Sequence, residues 1–249
     1  MEGLISFFPL ILPHLNKLQH SMQWKWWKIL SIVFLVYTFI FGFIVPLPYE
    51  TAYANSNLYE SMRNFFFHVP MWFSQLALIT VSLYYSIKYL RKPDPLYDIY
   101  ATEFARTATV LGCLGLVTGS IWANYTWGSF WSNDPKQTGA AIALLIYIAY
   151  FVLRNSMTDM DKRSRVAAVY NIFAYFIYIP MILILPRLTE SLHPGGKGTE
   201  GNPGLGGSSL DFKMRLVFYP AVLGWILLGT WISTLRLRVR LLEEKKHSA

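Results

Sequence analysis

The sequence predicts an all-α integral membrane protein with six transmembrane helices and both termini cytoplasmic. Three observations carry that fold class. The 249 residues are 54% hydrophobic and 17% aromatic but only 14% charged, too apolar for an ordinary soluble domain. Six apolar runs are long enough, or nearly so, to cross ~30 Å of hydrocarbon. The 22 lysines and arginines fall unevenly on the two sides of those runs. A net charge of +8 raises the question of nucleic acid. The basic residues are scattered between apolar runs rather than gathered in a patch, however, so membrane lipid is the partner they fit and nucleic acid is not.

Residues 1–28 read as a cytoplasmic amphipathic arm, with Trp24, Trp26 and Trp27 among Lys17, Lys25 and Lys28, suited to the membrane surface. A secretory signal peptide is not expected, because run 4–12 has neither a basic lead nor a small-residue cleavage site. Residues 29–235 form the six-helix membrane domain, with spans at 29–45, 69–90, 105–123, 139–153, 166–185 and 216–235. The fourth is the shortest. Pro180 should kink the fifth, and the carbonyl it frees needs a partner from elsewhere. Residues 236–249 make a basic cytoplasmic tail. The single cysteine, Cys113, falls inside an apolar run, so neither a disulfide framework nor a cysteine metal site is expected.

Orientation follows from charge. Sixteen lysines and arginines fall in the arm, the second-to-third and fourth-to-fifth connections and the tail, against six in the other loops. The richer side is cytoplasmic. The outer side then carries residues 46–67, 122–138 and 186–213.

The stretch 122–138, WANYTWGSFWSNDPKQT, is the densest aromatic segment on that side. Coiled as a helix, it would set Trp127, Phe130, Trp131 and Asp134 on one face at i, i+3, i+4 and i+7. The result would be an aromatic shelf with an acid at its rim, suited to a flat apolar ring system. An aromatic belt at the membrane interface has the same composition, and the stretch alone favours the belt.

Of the five histidines, His14, His20 and His247 lie in cytoplasmic arms among basic residues and read as solvated. His68 and His193 differ, for each sits on the outer face where a loop meets a span. Pro70 suits the first turn of the second helix and leaves His68 at or just before its start. Taken singly, either histidine reads as an interfacial hydrogen-bonding residue. Together with the shelf they suit an axially ligated haem, since imidazole nitrogen binds iron and aromatic side chains pack on a porphyrin. Arg63 and Arg187, near the two histidines, are positioned either to pair with propionates or to close loops on the headgroup layer. Asp134 has three readings: orienting a histidine, pairing with Lys136, or capping the fourth helix. Asp-Pro at a helix start favours the cap.

These residues also carry a resemblance. The stretch Trp127-Gly-Ser-Phe-Trp131-Ser-Asn-Asp134 resembles the tryptophan-rich WWD signature, W-G-x-x-W-x-W-D, of haem-handling membrane proteins in cytochrome c maturation. Phe67-His68-Val69-Pro70 and Leu192-His193 resemble the histidine motifs of the CcmC branch, in the same order along most of the chain. The resemblance implies haem (iron porphyrin, b-type) held by His68 and His193 as metal ligands, on a platform of Trp122, Trp127, Phe130, Trp131 and Asp134. It implies the bacterial inner (plasma) membrane, with the site facing the periplasm. Its implied partners are a periplasmic haem chaperone and ABC-type transporter subunits of the maturation complex. The role is binding, transport and transfer rather than enzymatic turnover, and the chain carries no P-loop of its own. Asn133 departs from the signature, standing where a tryptophan is usual.

Three alternatives follow from the same residues. The wording around Trp127 also resembles the CcsA branch, a cytochrome c synthetase component, although CcsA proteins are longer and carry further histidines within their spans. An electron-transfer subunit like cytochrome b needs histidines facing each other inside the bundle, and none of the six runs has one beyond its first residue. A solute transporter with an ordinary aromatic belt usually places ionisable groups near midplane, where these spans have almost none. The orientation is directly testable. Cysteines placed at Asn55, Ser132 and Gly201 should react with an impermeant thiol reagent in intact spheroplasts, and labelling only after lysis reverses the topology.

Overall fold

The structure is a computed structural model that describes residues 26–47, 59, 61–197 and 210–248. Most of the N-terminal arm, with His14 and His20, and most of the glycine-rich stretch after His193 therefore lie outside the described residues. Among the described residues all regular structure is helical. Six helices are long and apolar enough to cross a membrane.

Helix α1 runs Trp26–Ile44. A single 3-10 turn, Met62–Asn64, leads into α2, Phe65–Arg91. Helix α3 follows at Pro95–Trp127 and α4 at Pro135–Asn155. The short fourth run is thus extended by its Asp-Pro start to 21 residues, which at ~1.5 Å per residue spans the hydrocarbon. Helix α5, Met160–Ile179, continues through a π-turn at Pro180–Ile184 and a last α-turn at Leu185–Leu188. Helix α6 covers Phe212–Ser248, so the residues after 235 prolong the last span without a break.

Three aspartates begin three helices in the same way. Asp94, Asp134 and Asp159 each accept a backbone N–H of the first turn, from Leu96, Lys136 and Lys162, all at 2.9 Å. Two of them are followed by proline, whose missing N–H costs nothing at that position. At Pro180 the expected disturbance takes a specific form. The Leu185 N–H reaches back five residues to the Pro180 carbonyl, so the helix widens by one residue rather than simply bending.

Helix α2 is the centre of the bundle. It packs on α3, α5 and α6, while α6 holds α1 and α4 lies against α5 and α3. The α2–α3 seam is close because α3 presents Gly112, Gly115 and Gly119 to Gln75, Trp72 and His68. A Cβ at Gly115 would stand 2.8 Å from the Trp72 ring, and one at Gly119 would stand 2.7 Å from His68 Cε1. Small residues at i, i+3 and i+7 thereby let large, partly polar side chains lie against bare helix backbone, which is how membrane helices gain contact when lipid supplies no hydrophobic drive. Beneath this seam lies a core of Leu78, Ile79, Leu111, Tyr147, Tyr150 and Tyr178, all buried.

The end of the bundle away from His68 closes on charge. Asp98 of α3 is paired bidentately with Arg154 of α4, Nη1 to Oδ1 at 2.7 Å and Nη2 to Oδ2, and also accepts the Ser164 hydroxyl at 2.9 Å. Both charged side chains are buried. Around them a cavity of about 990 Å³ opens among the ends of α2 to α6, lined by acids and bases in similar number. A buried pair broken on one side leaves an uncompensated charge, which costs about 3–5 kcal/mol. Asp98→Ala should therefore lower the thermal unfolding temperature in detergent sharply. An Asp98→Leu/Arg154→Met double substitution should recover most of the loss, and a single variant as stable as the parent would show that the pair is not a fastening.

Candidate functional site

At the opposite end, four pieces of chain converge. They are the first turns of α2, the last turns of α3, the loop from α3 to α4, and the segment after the last turn of α5. Helix α2 begins three residues before His68, earlier than Pro70 alone implies, so His68 sits inside the first helical turns and is buried.

Both ring nitrogens of His68 are engaged. Nδ1 lies 3.0 Å from Thr118 Oγ1, and that hydroxyl donates to the Leu114 carbonyl at 2.9 Å. Trp72 Nε1 donates to Nε2 at 3.3 Å. The network assigns one tautomer: Nδ1 carries the proton and donates to Thr118, and Nε2 holds the lone pair that Trp72 caps. Trp72 and Trp122 both present edge-to-face contacts to the imidazole, with centroids at 6.2 and 5.9 Å.

The loop corrects one expectation. Trp127, Phe130, Trp131 and Asp134 do not share a helix face, because α3 ends at Trp127. Gly128 closes it in the left-handed conformation, φ 77°, and Asn133 is left-handed as well, φ 56°. Glycine has no Cβ to clash there, and asparagine tolerates the region better than most residues. Asn133 Oδ1 also accepts the Trp131 indole N–H at 2.9 Å. The position where the signature usually has tryptophan thus shapes the turn and orients its neighbour. Gln137 ties the loop to α4, its Oε1 accepting from Ser132 N at 3.1 Å and Ser132 Oγ at 2.9 Å. Phe130 and Trp131 are left 57% and 40% exposed, so the aromatic surface exists, built on a loop rather than a helix.

Asp134 performs two of its three candidate roles at once. Besides capping α4, its carboxylate accepts from the Ser191 hydroxyl at 2.8 Å, the Leu192 backbone N–H at 2.7 Å and His193 Nδ1 at 2.8 Å. Burial alone would raise its pKa, but the hydrogen bonds from His193 and Ser191, the charge of His193 and the Leu192 amide hold it well below the usual carboxylate range. His193 is steadied further by Ser191 Oγ, which accepts its backbone N–H at 3.1 Å. Its ring meets Trp127 edge to face, centroids 4.8 Å apart. A carboxylate on Nδ1–H fixes the ring, and in the neutral imidazole Nε2 then carries the lone pair, the arrangement that supports histidines at metals.

The last turns of α3 link the two histidines, Trp122 meeting the His68 ring and Trp127 the His193 ring. Arg63 is committed elsewhere, donating to the Gly42 and Val45 carbonyls at 3.2 and 3.1 Å and closing the end of α1. Sequence reasoning missed Trp72, Thr118 and Ser191. The clue for Trp72 was its i+4 spacing from His68, matched by Gly115 and Gly119 four apart on the facing helix.

The residues fit an iron porphyrin. No group of three or more His, Cys, Asp or Glu among the described residues could hold a bare ion, whereas a porphyrin asks the protein only for axial ligands. The Trp122 Nε1 proton, buried beside His68, finds no acceptor among the described residues, so a donor waits at the site for a ligand's oxygen.

Fold and site together define a multi-pass membrane protein with a two-histidine, tryptophan-rich centre at one end of its bundle. The chain belongs to the heme exporter protein C family, CcmC, which matches residues 12–249. It is 25% identical over 226 residues to heme exporter protein C of Escherichia coli, covering 89% of this chain and 85% of that protein. With the same-named protein of Bradyrhizobium diazoefficiens it shares 26% over 203 residues, 80% of this chain and 75% of the relative. A more local likeness, 46% over 63 residues, links it to the cytochrome c biogenesis protein CcsA of Prochlorococcus marinus, covering 25% of this chain and 20% of that one.

Because the folded pKa of Asp134 is depressed below its ordinary 3.8, its stabilisation is full above about pH 5 and is lost as pH falls through the folded value. Asp134→Asn keeps a cap but loses the charged acceptor, so it should destabilise at neutral pH by on the order of 1–3 kcal/mol. Unfolding followed across pH should show parent and variant converging in acid. A gap independent of pH would exclude the carboxylate as its source.

Proposed function

We propose that the protein holds b-type haem at the outer, periplasmic face of the bacterial inner membrane. From there it delivers haem to a periplasmic haem chaperone, as the membrane partner of ABC-type transporter subunits. Family membership supports haem handling in cytochrome c maturation. The observation that carries the finer reading is the matched pair of histidines. Each has Nδ1 tied to an oxygen of its own scaffold, Thr118 or Asp134, so that Nε2 is the acceptor nitrogen on both, capped by Trp72 on His68.

His68 and His193 would hold the haem, whose iron would supply affinity for imidazole nitrogen. The residues divide the rest of the work. His68, buried and clasped by α3, is the fixed ligand. His193, partly exposed on a loop, is the ligand that lets go during transfer. Trp122, Trp127, Phe130 and Trp131 offer apolar and aromatic area to the ring. Lys136 and Arg187 supply positive charge for its carboxylates. Binding and release complete this role, with no covalent turnover and with ATP used by another subunit. The likeness to CcsA covers only a quarter of the chain, which favours the CcmC reading over a synthetase component.

The test is the Soret band of the purified protein. His68→Ala or His193→Ala should each shift the spectrum and loosen haem, with added imidazole refilling the vacancy. The double variant should lose haem altogether. Trp127→Ala and Trp131→Ala should each weaken retention by about 1 kcal/mol beyond the area lost. A double-histidine variant that binds haem as the parent does ends the assignment.

A further inference from the structure

Resting on that reading, we infer that Trp72 is a latch on His68: its indole N–H occupies the one imidazole lone pair that iron would take. Two geometric facts combine. Trp72 lies four residues after His68 on α2, one turn deeper, so its side chain returns along the helix toward the imidazole. Its Nε1 donates to Nε2 at 3.3 Å. The other ring nitrogen is already matched to Thr118, whose own hydrogen goes to the Leu114 carbonyl. A neutral imidazole has one donor and one acceptor nitrogen, and this network uses both.

Neither ring is loosely placed. A Cβ at Gly115 would fall 3.1 Å from Trp72 Nε1 and one at Gly119 would fall 3.3 Å from His68 Nε2, so the donor and its acceptor lie together in the glycine groove of α3. No other acceptor for the Trp72 indole is seen among the described residues. Pulling Nε2 away therefore leaves the indole N–H without its acceptor, and an unpaired donor costs free energy until it finds another partner. For His68 Nε2 to coordinate, Trp72 would have to give up this hydrogen bond, and it would regain the bond once the nitrogen was free again. The latch weakens the resting grip on haem and eases its release, as a carrier requires. Trp72 acts through His68 and is a positioning residue.

Trp72→Phe keeps an aromatic ring in the groove and deletes the donor. In the variant, haem dissociation followed by transfer to an excess of apomyoglobin should slow roughly five- to tenfold, the size of one ordinary hydrogen bond. In a His68→Ala background the same substitution should change the rate no further. A second readout needs no haem. In the haem-free parent labelled with 15N-histidine, His68 should show a single tautomer, protonated at Nδ1 and accepting at Nε2. In Trp72→Phe the Nε2 resonance should shift as its hydrogen bond is lost, while Nδ1 stays protonated toward Thr118.

Dissociation that is unchanged or faster in Trp72→Phe, while His68→Ala still alters the Soret band, overturns the latch and leaves the haem reading standing. A Soret band indifferent to His68→Ala overturns the haem reading itself. A parent His68 protonated at Nε2 overturns the latch whatever the haem data show. A slowing in Thr118→Val but not in Trp72→Phe would place iron on Nδ1 and likewise overturn it.

Discussion

The close approach of α2 and α3 is the constraint on which the rest of the molecule depends. Gly112, Gly115 and Gly119 remove the side chains that would hold the two backbones apart, and Gln75, Trp72 and His68 fill the vacated groove. In water such bulky and partly polar groups would gain little by facing glycine. In lipid the groove gives them contact area and acceptors that the bilayer lacks. The same seam sets the depth of His68 and the angle from which it meets Trp122. A methyl group at Gly119 would thus be felt at the imidazole before it was felt by the fold as a whole.

A second organising point is the carboxylate of Asp134. One side chain begins α4, ends the aromatic loop, and receives the Ser191 hydroxyl, the Leu192 amide and the His193 imidazole. Two chain segments distant in sequence, the loop that opens α4 and residues 191–193, thereby share a single anion. The two histidines are consequently held in unlike ways. His68 is fixed by neutral partners within a helix seam, and His193 by a charge on a loop. In the haem-carrying role proposed above, that difference would separate a ligand that stays from one that leaves.

Much of this was legible in the residues. Runs of apolar sequence place six spans because hydrocarbon thickness dictates their length. Asp-Pro at 134–135 and the two histidines at one end of the bundle announce themselves by type and position. The shelf was misread because Trp127, Phe130, Trp131 and Asp134 have helical spacing, while the residues that cancel the helix, Gly128 and Asn133, carry their information in backbone preference rather than in polarity. The roles of Trp72 and Thr118 were hidden for another reason. A tryptophan or threonine in an apolar run looks like lipid-facing or core residue until the facing helix is known, and register between helices is a property of the packed bundle.

The widened turn at Pro180–Ile184 bears on how the chain can vary. It carries one more residue than an α-turn would need to cover the same rise, and Gly139 lets α4 close directly on the Met181 carbonyl beside it. The surplus is taken up inside the widened turn, so the helix beyond it keeps its phase; a residue deleted from the regular turns on either side would instead turn everything downstream by about 100° around the helix axis. Ser191 and His193 would then leave the carboxylate that gathers them, with no site residue having been altered. What these five positions contribute is slack in the residue count.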